Sequence, residues 1–332
     1  DGSRFMPDVE PEKKELASRD VVSRRMEERI AMGKGVKTKY GEHLWLDITL
    51  LGEHHIKHKL REVYEICHYF LGVDPTKEWI PVRPAQHYTM GGVRTNPTGE
   101  SPQLKGLFAA GEAACWDMHG FNRLGGNSVA ETVVAGMIVG EFIADFCEKP
   151  ENGIDIPTSI IYESLAKVQN ELNGFIKCTG NEDAVKLRTR MQEVMTTKIG
   201  IFRRGKDMEE LDNRSFNIPV KDVVGNNPEL VYAYRTRSML RVALTVAYGA
   251  LNRQESRGAH YREDFSVRDD VKWLNRTIAT WKDGDTLPTL SYQPLDISKM
   301  ELPPGFRGYG VKNYIENAES AKRQAEGDAI RQ

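Results

Sequence analysis

The sequence lacks the clustered cysteines that metal and iron–sulfur sites need. Its 332 residues include four cysteines, which lie far apart and form no C-x-x-C pair. They are Cys67, Cys115, Cys147 and Cys178. A zinc knuckle or an iron–sulfur cluster needs several thiolates close together, and a disulfide framework is typical of smaller, cysteine-rich chains. The spacing therefore predicts reduced thiols and no cysteine-bound metal in this chain.

Excess charge and long uncharged hydrophobic runs are missing as well. The formal net charge is −2, whereas a general nucleic-acid binder usually carries a basic surplus. The most apolar stretch, Val129 to Phe146, is interrupted by Glu131, Glu141 and Asp145. A membrane span needs about 20 nearly uncharged residues. The stretch therefore predicts a buried helix, and the chain is expected to bind no nucleic acid and to have no membrane span of its own.

A nucleotide-binding fingerprint is also absent, because no G-x-G-x-x-G follows a predicted strand.

What the sequence does contain is apolar periodicity, which predicts six helices. They cover Pro11–Met32, Glu53–Phe70, Asn127–Phe146, Pro157–Lys177, Asp183–Phe202 and Pro228–Asn252. The last three predict a small bundle. Strands are predicted at Leu44–Leu50, on both sides of a Gly91-Gly92 turn within 86–95, and at Leu107–Ala110.

The most informative segment is glycine-rich and runs from Gly106 to Ser128, with the sequence GLFAAGEAACWDMHGFNRLGGNS. Its pattern predicts a strand that ends before Glu112 and a helix that starts near Gly126. A helix start of this kind offers free N–H donors and a partial positive charge, which suit an electron-rich cofactor edge. Glu112 could accept a hydrogen bond from a ribose hydroxyl. A plain tight turn explains the same glycines equally well.

Three basic side chains are candidates for binding an anion. Arg123 immediately precedes the predicted helix start, and with His87 it could hold a carboxylate through charge-assisted hydrogen bonds. From the residues alone, a surface arginine and a core histidine are the simpler interpretation. Arg19 begins the first predicted helix, where an ion pair with Asp20 or Glu15 is the simpler interpretation.

Two further groups have a structural and a functional interpretation. His54 and His58 are an i,i+4 pair that could bind a metal, but no third ligand is evident, so a solvated helix face is favoured and no metal site is predicted. A charged cluster follows the last helix and could dock another subunit or form an interdomain ion-pair network, of which the network is favoured. This cluster consists of Arg253, Glu255, Arg257, His260 and Arg262.

Five strings occur in order along the chain: KELASRDVVSRR, HYTMGG, GLFAAGEAA, HGFNRLGGNS and ESRGAHYRED. In this order and at this spacing they resemble the succinate dehydrogenase/fumarate reductase flavoproteins. The resemblance covers nearly all of the chain, and five strings in order are far more specific than any one alone. The longer string WDMHGFNRLGGNS is most similar to that of the bacterial menaquinol:fumarate reductases.

The resemblance implies an α/β plus α fold in four parts. These are the C-terminal part of a capping domain (1–83), the C-terminal part of an FAD-binding α/β domain (84–154), a helical bundle (155–264) and a small mixed α+β domain (265–332). In the family, the dinucleotide fingerprint and the flavin-linking histidine belong to the N-terminal half. The resemblance therefore implies a C-terminal half, which we expect to bind FAD poorly by itself because much of the FAD site lies upstream.

The resemblance also implies roles for the cationic residues. Arg19 matches the arginine that delivers a proton to the substrate carbon opposite the flavin. His87 and Arg123 match the groups that hold the dicarboxylate. Because an arginine keeps its own proton in water, the family recharges it through a relay, whose members lie upstream of Asp1.

Cofactor contacts follow from the same resemblance. Glu112 matches a residue that contacts the adenosine part of FAD. Ser128 and Val129 match backbone contacts to the isoalloxazine at the helix N-terminus, next to Gly126 and Asn127. The positive end of that helix favours a negatively charged flavin.

The implied function is the reversible, flavin-dependent reduction of fumarate to succinate. The resemblance implies an iron–sulfur subunit and a membrane anchor subunit as partners, and it assigns the iron–sulfur clusters and quinone to those partners. It favours a peripheral position at the cytoplasmic face of the inner membrane over the periplasmic face. An L-aspartate oxidase and a non-catalytic interaction subunit that lacks flavin stay open as alternatives.

Overall fold

The computed structural model describes residues 2–153, 155–209, 218–223, 225–282 and 284–296. The chain forms two compact units, Asp1–His87 and Tyr88–Gln332. Helices and short sheets are mixed along both units, in agreement with the predicted α/β plus α class. The four-part domain division stays a prediction, and the part of its last domain beyond residue 296 lies outside the described residues.

Four short helices occur in the first unit, and they correct the two long helices predicted there. They are α1 (Met6–Val9), α2 (Arg19–Arg29), α3 (Glu53–Lys59) and α4 (Arg61–Ile66). Helix α2 begins only at Arg19, because Ser18 is extended, and it continues as a wider turn to Lys34. The second prediction fails at Leu60, whose non-helical φ of −118° and ψ of 35° separate α3 from α4. Gly72 ends this region with a φ of 68°, as expected for a helix C-terminus.

The first unit also contains a three-stranded antiparallel sheet in the order β1-β2-β3. Its strands are β1 (Val36–Thr38), β2 (Gly41–Leu46) and β3 (Ile80–Val82). The strand predicted at Leu44–Leu50 is therefore shifted toward the N-terminus. The physical reason is Asp47, whose Oδ1 accepts from the backbone N of Thr49 at 2.9 Å and from its Oγ1 at 2.7 Å. This local turn ends the strand.

The second unit begins with a two-residue parallel pair, β4 (Val93–Arg94) with β5 (Ala114–Cys115). Gly92 makes the approach possible: its φ is 130°, and a Cβ there would lie 2.3 Å from the carbonyl oxygen of Ala113. The strands predicted before the glycine turn and at Leu107–Ala110 do not form. Backbone hydrogen bonds instead join the two ends of segment 99–109 to each other. Ser101 N donates to Leu107 O at 2.8 Å, and Ala109 N donates to Gly99 O at 2.9 Å.

The helices predicted for the second unit are confirmed in position, but the burial predicted for the apolar helix at Asn127–Glu148 is wrong, because its buried residues are only Ser128, Glu131, Ala135 and Val139. They are α5 (Asn127–Glu148), α6 (Thr158–Ile176), α7 (Ala184–Lys198) and α9 (Pro228–Asn252), with a short unpredicted α8 (Gly205–Glu209) before α9. Capping explains two starts. Asp183 accepts from Val185 N at 2.8 Å and Lys186 N at 3.0 Å, and Asn227 accepts from Leu230 N at 3.1 Å. A final antiparallel pair, β6 (Asn275–Thr280) and β7 (Thr289–Pro294), follows.

Two apolar clusters hold the helices of the second unit together, as the predicted bundle requires. The first lies between α6, α7 and α9 and contains Phe175, Ala184, Ile218, Val220 and Ala233. The second lies where α8 meets α9 and contains Ile199, Met208, Ala247 and Ala250. Within the described parts of the chain, no helix has the length and hydrophobicity that crossing a bilayer requires.

Candidate active site

The N-terminus of α5 is built from glycine. Gly126 adopts the left-handed conformation, with φ 81° and ψ −20°, and the helix begins at the next residue, Asn127. Gly126 has no side chain with which to cap the helix. Ser128 is buried, whereas 73% of Val129 is exposed. The first-turn N–H groups and the positive helix end therefore fit an electron-rich cofactor edge, and cofactor binding at this helix start stays a prediction.

Arg123 lies in the loop that leads into α5, residues 116–126, which we call the site loop. It is buried, with 4% exposure. Its Nη1 donates to Leu124 O at 2.7 Å, and its guanidinium lies 5.4 Å from the ring centroid of Tyr88. Within the described residues its Nε has no hydrogen-bond partner, and no carboxylate forms an ion pair with it. The surface-arginine alternative is therefore wrong, and the side chain keeps donors for a bound anion.

Glu131, on the buried face of α5, accepts hydrogen bonds from three aromatic side chains. Its Oε1 accepts from Trp116 Nε1 at 2.8 Å, and its Oε2 contacts His119 Nε2 at 2.7 Å. The hydroxyl of Tyr88 donates to Oε2 as well. Burial by itself would raise the pKa of Glu131, but the bonds from Tyr88, Trp116 and His119 outweigh it and hold that pKa below its ordinary value. The carboxylate is therefore ionised.

Tyr88, the first residue of the second unit, combines an unusual backbone with a buried side chain. Its φ of 66° is rare for a residue with a Cβ. Burial, followed by the bond to Glu131, raises the pKa of Tyr88 to about 12. The phenol therefore stays protonated and donates to Glu131. Its ring also meets that of His119 edge to face, with centroids 5.7 Å apart.

Strand β6 holds the start of the site loop. Asp117 has a φ of 73°, and its carboxylate forms two bonds with Arg276, from Nε to Oδ1 and from Nη2 to Oδ2, the latter at 2.6 Å. Arg94 Nη1 lies 3.6 Å from the same Oδ2. Asp tolerates the left-handed region better than most residues, and the two arginines fix it there.

The ESRGAHYRED segment holds the middle of the site loop. Ala259 N donates to the carbonyl oxygen of Phe121 at 2.8 Å. Gly258 has a φ of 60°, and a Cβ there would lie 2.7 Å from that same oxygen. The guanidinium of Arg253 covers the Phe121 ring at 4.8 Å. Only glycine at position 258 lets the two segments approach so closely.

The charged cluster is an internal network of the second unit. Glu255 is fully buried and accepts from Arg257 Nε at 2.8 Å and Nη2 at 2.9 Å, with Arg253 Nη1 at 3.2 Å. Arg262 Nη1 donates to the last carbonyls of α9, at Ala250 (2.9 Å) and Leu251 (2.6 Å). These contacts support the network interpretation over a docking surface.

Glu112 forms a hydrogen bond between two of the five sequence strings that resemble the family. Its Oε1 accepts from the backbone N of Thr89 at 2.6 Å, and the residue is exposed. A carboxylate has lone pairs for several hydrogen bonds, so this contact leaves Glu112 able to accept from a hydroxyl. Its predicted contact with a cofactor ribose stays a prediction.

Arg19 and His87 belong to the first unit, and both are exposed. The core-histidine alternative for His87 is therefore wrong. Arg19 does not form the expected ion pair, because Glu15 pairs with Arg4 at 2.9 Å and Asp20 lies 3.5 Å from Arg24. The candidates for anion binding are thus distributed over the two units, with Arg19 and His87 on the first and Arg123 on the second.

The paired histidines of α3 contact each other, with the rings of His54 and His58 4.4 Å apart at their centroids. In the part of the chain that the structure describes, no three histidine, cysteine or acidic side chains come together as a metal site would require.

Sequence reasoning missed the residues that shape the site loop. They are Tyr88, Trp116, Asp117, His119 and Glu131. One signal was available, because an acid inside an apolar helix must be paired when it is buried. The partners of Glu131, however, come from segments that only the fold brings to it.

Two family models match the chain. One, described as an FAD binding domain, matches residues 1–129, and the other, described as the fumarate reductase flavoprotein C-terminus, matches residues 188–309. The chain is 50% identical to the fumarate reductase flavoprotein subunit of Helicobacter pylori, with 98% of this chain and 50% of that protein aligned. It is 36% identical to the corresponding Escherichia coli subunit, over 95% of this chain and 53% of that protein.

A solved structure of an E. coli quinol fumarate reductase variant is also similar. Its TM-score is 0.82 at 35% identity, with 94% of this chain and 56% of that chain aligned. The chain therefore spans about half the length of the curated relatives it matches.

Proposed function

Because the chain belongs to the succinate dehydrogenase/fumarate reductase flavoprotein family, we propose that it is the C-terminal half of an enzyme that reduces fumarate to succinate, reversibly, with FAD. The observation that carries this proposal is Arg123, a buried guanidinium without a carboxylate partner in the described residues. Burying a cation is costly unless an anion compensates it. A carboxylate of the substrate supplies that compensation.

Fumarate has two carboxylates, so its recognition needs cationic or hydrogen-bonding groups at two places. We assign one carboxylate to Arg123, whose planar guanidinium can bind it through two parallel bonds. His87, exposed at the end of the first unit, contributes a further donor. Arg19 delivers the proton to the alkene carbon opposite the flavin. Because Arg19 has no ion pair within the described residues, no carboxylate competes for its donors.

The cofactor of the proposed reaction is FAD, which supplies the hydride when it is bound. The residues present fit this group. The glycine-opened start of α5 offers N–H donors at Ser128 and Val129, beside Gly126 and Asn127, and Val129 is exposed. Glu112 accepts from a hydroxyl of the adenosine part. In the proteins of this family, the remaining FAD contacts come from the N-terminal half of the chain.

The proposed partners are an iron–sulfur subunit, which passes electrons from quinol to the flavin, and a membrane anchor subunit. Solved structures that resemble this chain include quinol–fumarate reductases and a Mycobacterium smegmatis Sdh1 complex, and these similarities support the proposal. We place the protein peripherally at the cytoplasmic face of the inner membrane, held there by its partners.

Anaerobic oxidation of a reduced viologen dye by the full-length flavin-loaded subunit, with and without fumarate, tests the proposal. Wild type should oxidise the dye only when fumarate is present. Arg19→Ala should lose nearly all of this activity and keep its flavin. Arg61→Ala, which changes an exposed arginine of the same unit, should retain activity.

Three results would contradict the proposal in different ways. A flavin-loaded wild type that ignores fumarate but oxidises L-aspartate would identify the oxidase alternative. A native full-length protein without flavin would support a non-catalytic subunit. An Arg19→Ala variant with full activity would keep the reaction and remove Arg19 from proton delivery.

A further inference from the structure

Glu131 joins two chain segments that are distant in sequence. One segment starts at Tyr88, and the other is the site loop, represented by Trp116 and His119. All three side chains bond to this one carboxylate, which is 5% exposed. A buried carboxylate with three donors is satisfied and geometrically defined. Moving this carboxylate by the length of one side chain would break its hydrogen bonds to both segments.

Tyr88 gives a second, independent observation. A positive φ at a residue with a Cβ costs about 1–2 kcal/mol, and such strain persists only where the surroundings fix it. In the described part of the second unit, the non-glycine residues with positive φ are Tyr88 and Asp117. Asp117 lies in the site loop itself, and the ring of Tyr88 lies 5.4 Å from the guanidinium of Arg123 in that loop. Strain therefore concentrates around Arg123.

The path from Glu131 to Arg123 is short. The Tyr88 hydroxyl donates to Glu131, and the Tyr88 ring lies under the Arg123 guanidinium at 5.4 Å. His119, four residues before Arg123, bonds to the same Glu131 oxygen as Tyr88. The ring that faces Arg123 and the backbone that carries Arg123 are thus both fixed by one side chain.

We propose that Glu131 is a positioning residue for the dicarboxylate site: it orients the Arg123 guanidinium through Tyr88 and the site loop. This inference rests on the proposed function, which supplies the dicarboxylate. Glu131 does not touch substrate. Its contribution is to lower the conformational freedom of Arg123 before binding, and preorganisation of this kind increases affinity.

Variants of the full-length, flavin-loaded protein test the inference. Glu131→Gln keeps the side-chain shape and loses the ionised acceptor, whereas Tyr88→Phe removes one of its three bonds. Glu141→Gln, an exposed acid on the same helix, is the matched control. Two quantities are measured: the KM for fumarate in the dye assay, and the Kd for the non-reacting dicarboxylate malonate by calorimetric titration.

We expect Glu131→Gln to raise both KM and Kd about tenfold, which corresponds to about 1.4 kcal/mol, with flavin content unchanged and kcat changed much less. Tyr88→Phe should shift both constants in the same direction by less, and Glu141→Gln should match wild type. In an Arg123→Lys background, Glu131→Gln should have no further effect on Kd, because residues that act through one another are not additive.

Wild-type affinity in Glu131→Gln would overturn the inference, and so would an effect of Glu131→Gln that persists in full in the Arg123→Lys background. If Glu131→Gln does not fold, a wild-type Kd in Tyr88→Phe overturns it in the same way. A flavin-loaded wild type that binds malonate but does not reduce fumarate would refute the proposed reaction, and the Kd ratios would still decide the role of Glu131. A wild type that binds neither would refute both.

Discussion

Arg203 Nη1 donates to His260 Nδ1 at 2.9 Å, inside the second unit. An arginine can only donate, so Nδ1 must accept and His260 must carry its hydrogen on Nε2, which donates to Arg253 O at 3.2 Å. Burial first, and the charge of Arg203 second, lower the pKa of His260 to about 3. The imidazole is therefore neutral in the folded protein.

Protonation of the unfolded chain should then make stability depend on pH. An unfolded histidine takes up a proton below pH 6.5, whereas folded His260 does so only near pH 3. Between these values the unfolded state binds more protons, so stability falls as the pH falls, by up to about 1.4 kcal/mol per pH unit. His260→Gln retains one acceptor and one donor but does not titrate. We expect its thermal midpoint to fall less than that of wild type between pH 7 and pH 5. Equal falls would show that His260 titrates normally.

Gly258→Ala should destabilise the fold by at least about 2 kcal/mol, because the added methyl group would meet Phe121 O at 2.7 Å in a left-handed backbone. Gly174, exposed in helix α6, has no atom near such a methyl group. Gly174→Ala should therefore stabilise by about 0.5–1 kcal/mol. Urea unfolding of both variants measures the contrast. A Gly258→Ala variant as stable as wild type would contradict the close approach.

Removal of a buried acid should cost far more than removal of an exposed one. Glu255→Gln weakens the ion pair between the fully buried Glu255 and the partly buried Arg257, and it should lower stability by about 3 kcal/mol. Glu65→Gln breaks the exposed pair with Arg61 and should leave the thermal midpoint unchanged. Calorimetry of the two variants measures their thermal midpoints. Similar midpoints would show that the buried network contributes little to the stability of the fold.

Asp117 should tolerate asparagine better than alanine. Both substitutions remove the charge that faces Arg276, but only alanine also meets the full steric cost of a φ of 73°. We expect Asp117→Ala to destabilise by about 2 kcal/mol and Asp117→Asn by about half as much. Chemical denaturation of the two variants gives the order, and the reverse order would mean that backbone strain at Asp117 is negligible.

The sequence predicted the long helices of the second unit well, because their apolar period and capping residues are local. Asp183 and Asn227 cap the starts where the pattern places them. The helix start after Gly126, expected from its glycines, is also present.

Features that depend on distant partners were not predictable in this way. Strands β4 and β5 have two residues each, too few for a periodic signal. The predicted helix Glu53–Phe70 is interrupted at Leu60, where the sequence has no proline or glycine that would indicate a break. The burial of Arg123 likewise depends on Tyr88, which lies 35 positions earlier in the chain.

The bond between Asp117 and Arg276 also has a consequence for biosynthesis. The two residues are 159 positions apart. At about 5–20 residues per second, a ribosome adds Arg276 roughly 8–30 s after Asp117. Until then the loop that carries Arg123 lacks one of its supports. The loop around Arg123, and with it the proposed anion site, therefore takes its final shape late in synthesis, after helices α5 to α9 have been made. A nascent chain truncated before β6 would carry every proposed contact residue without this support of the loop.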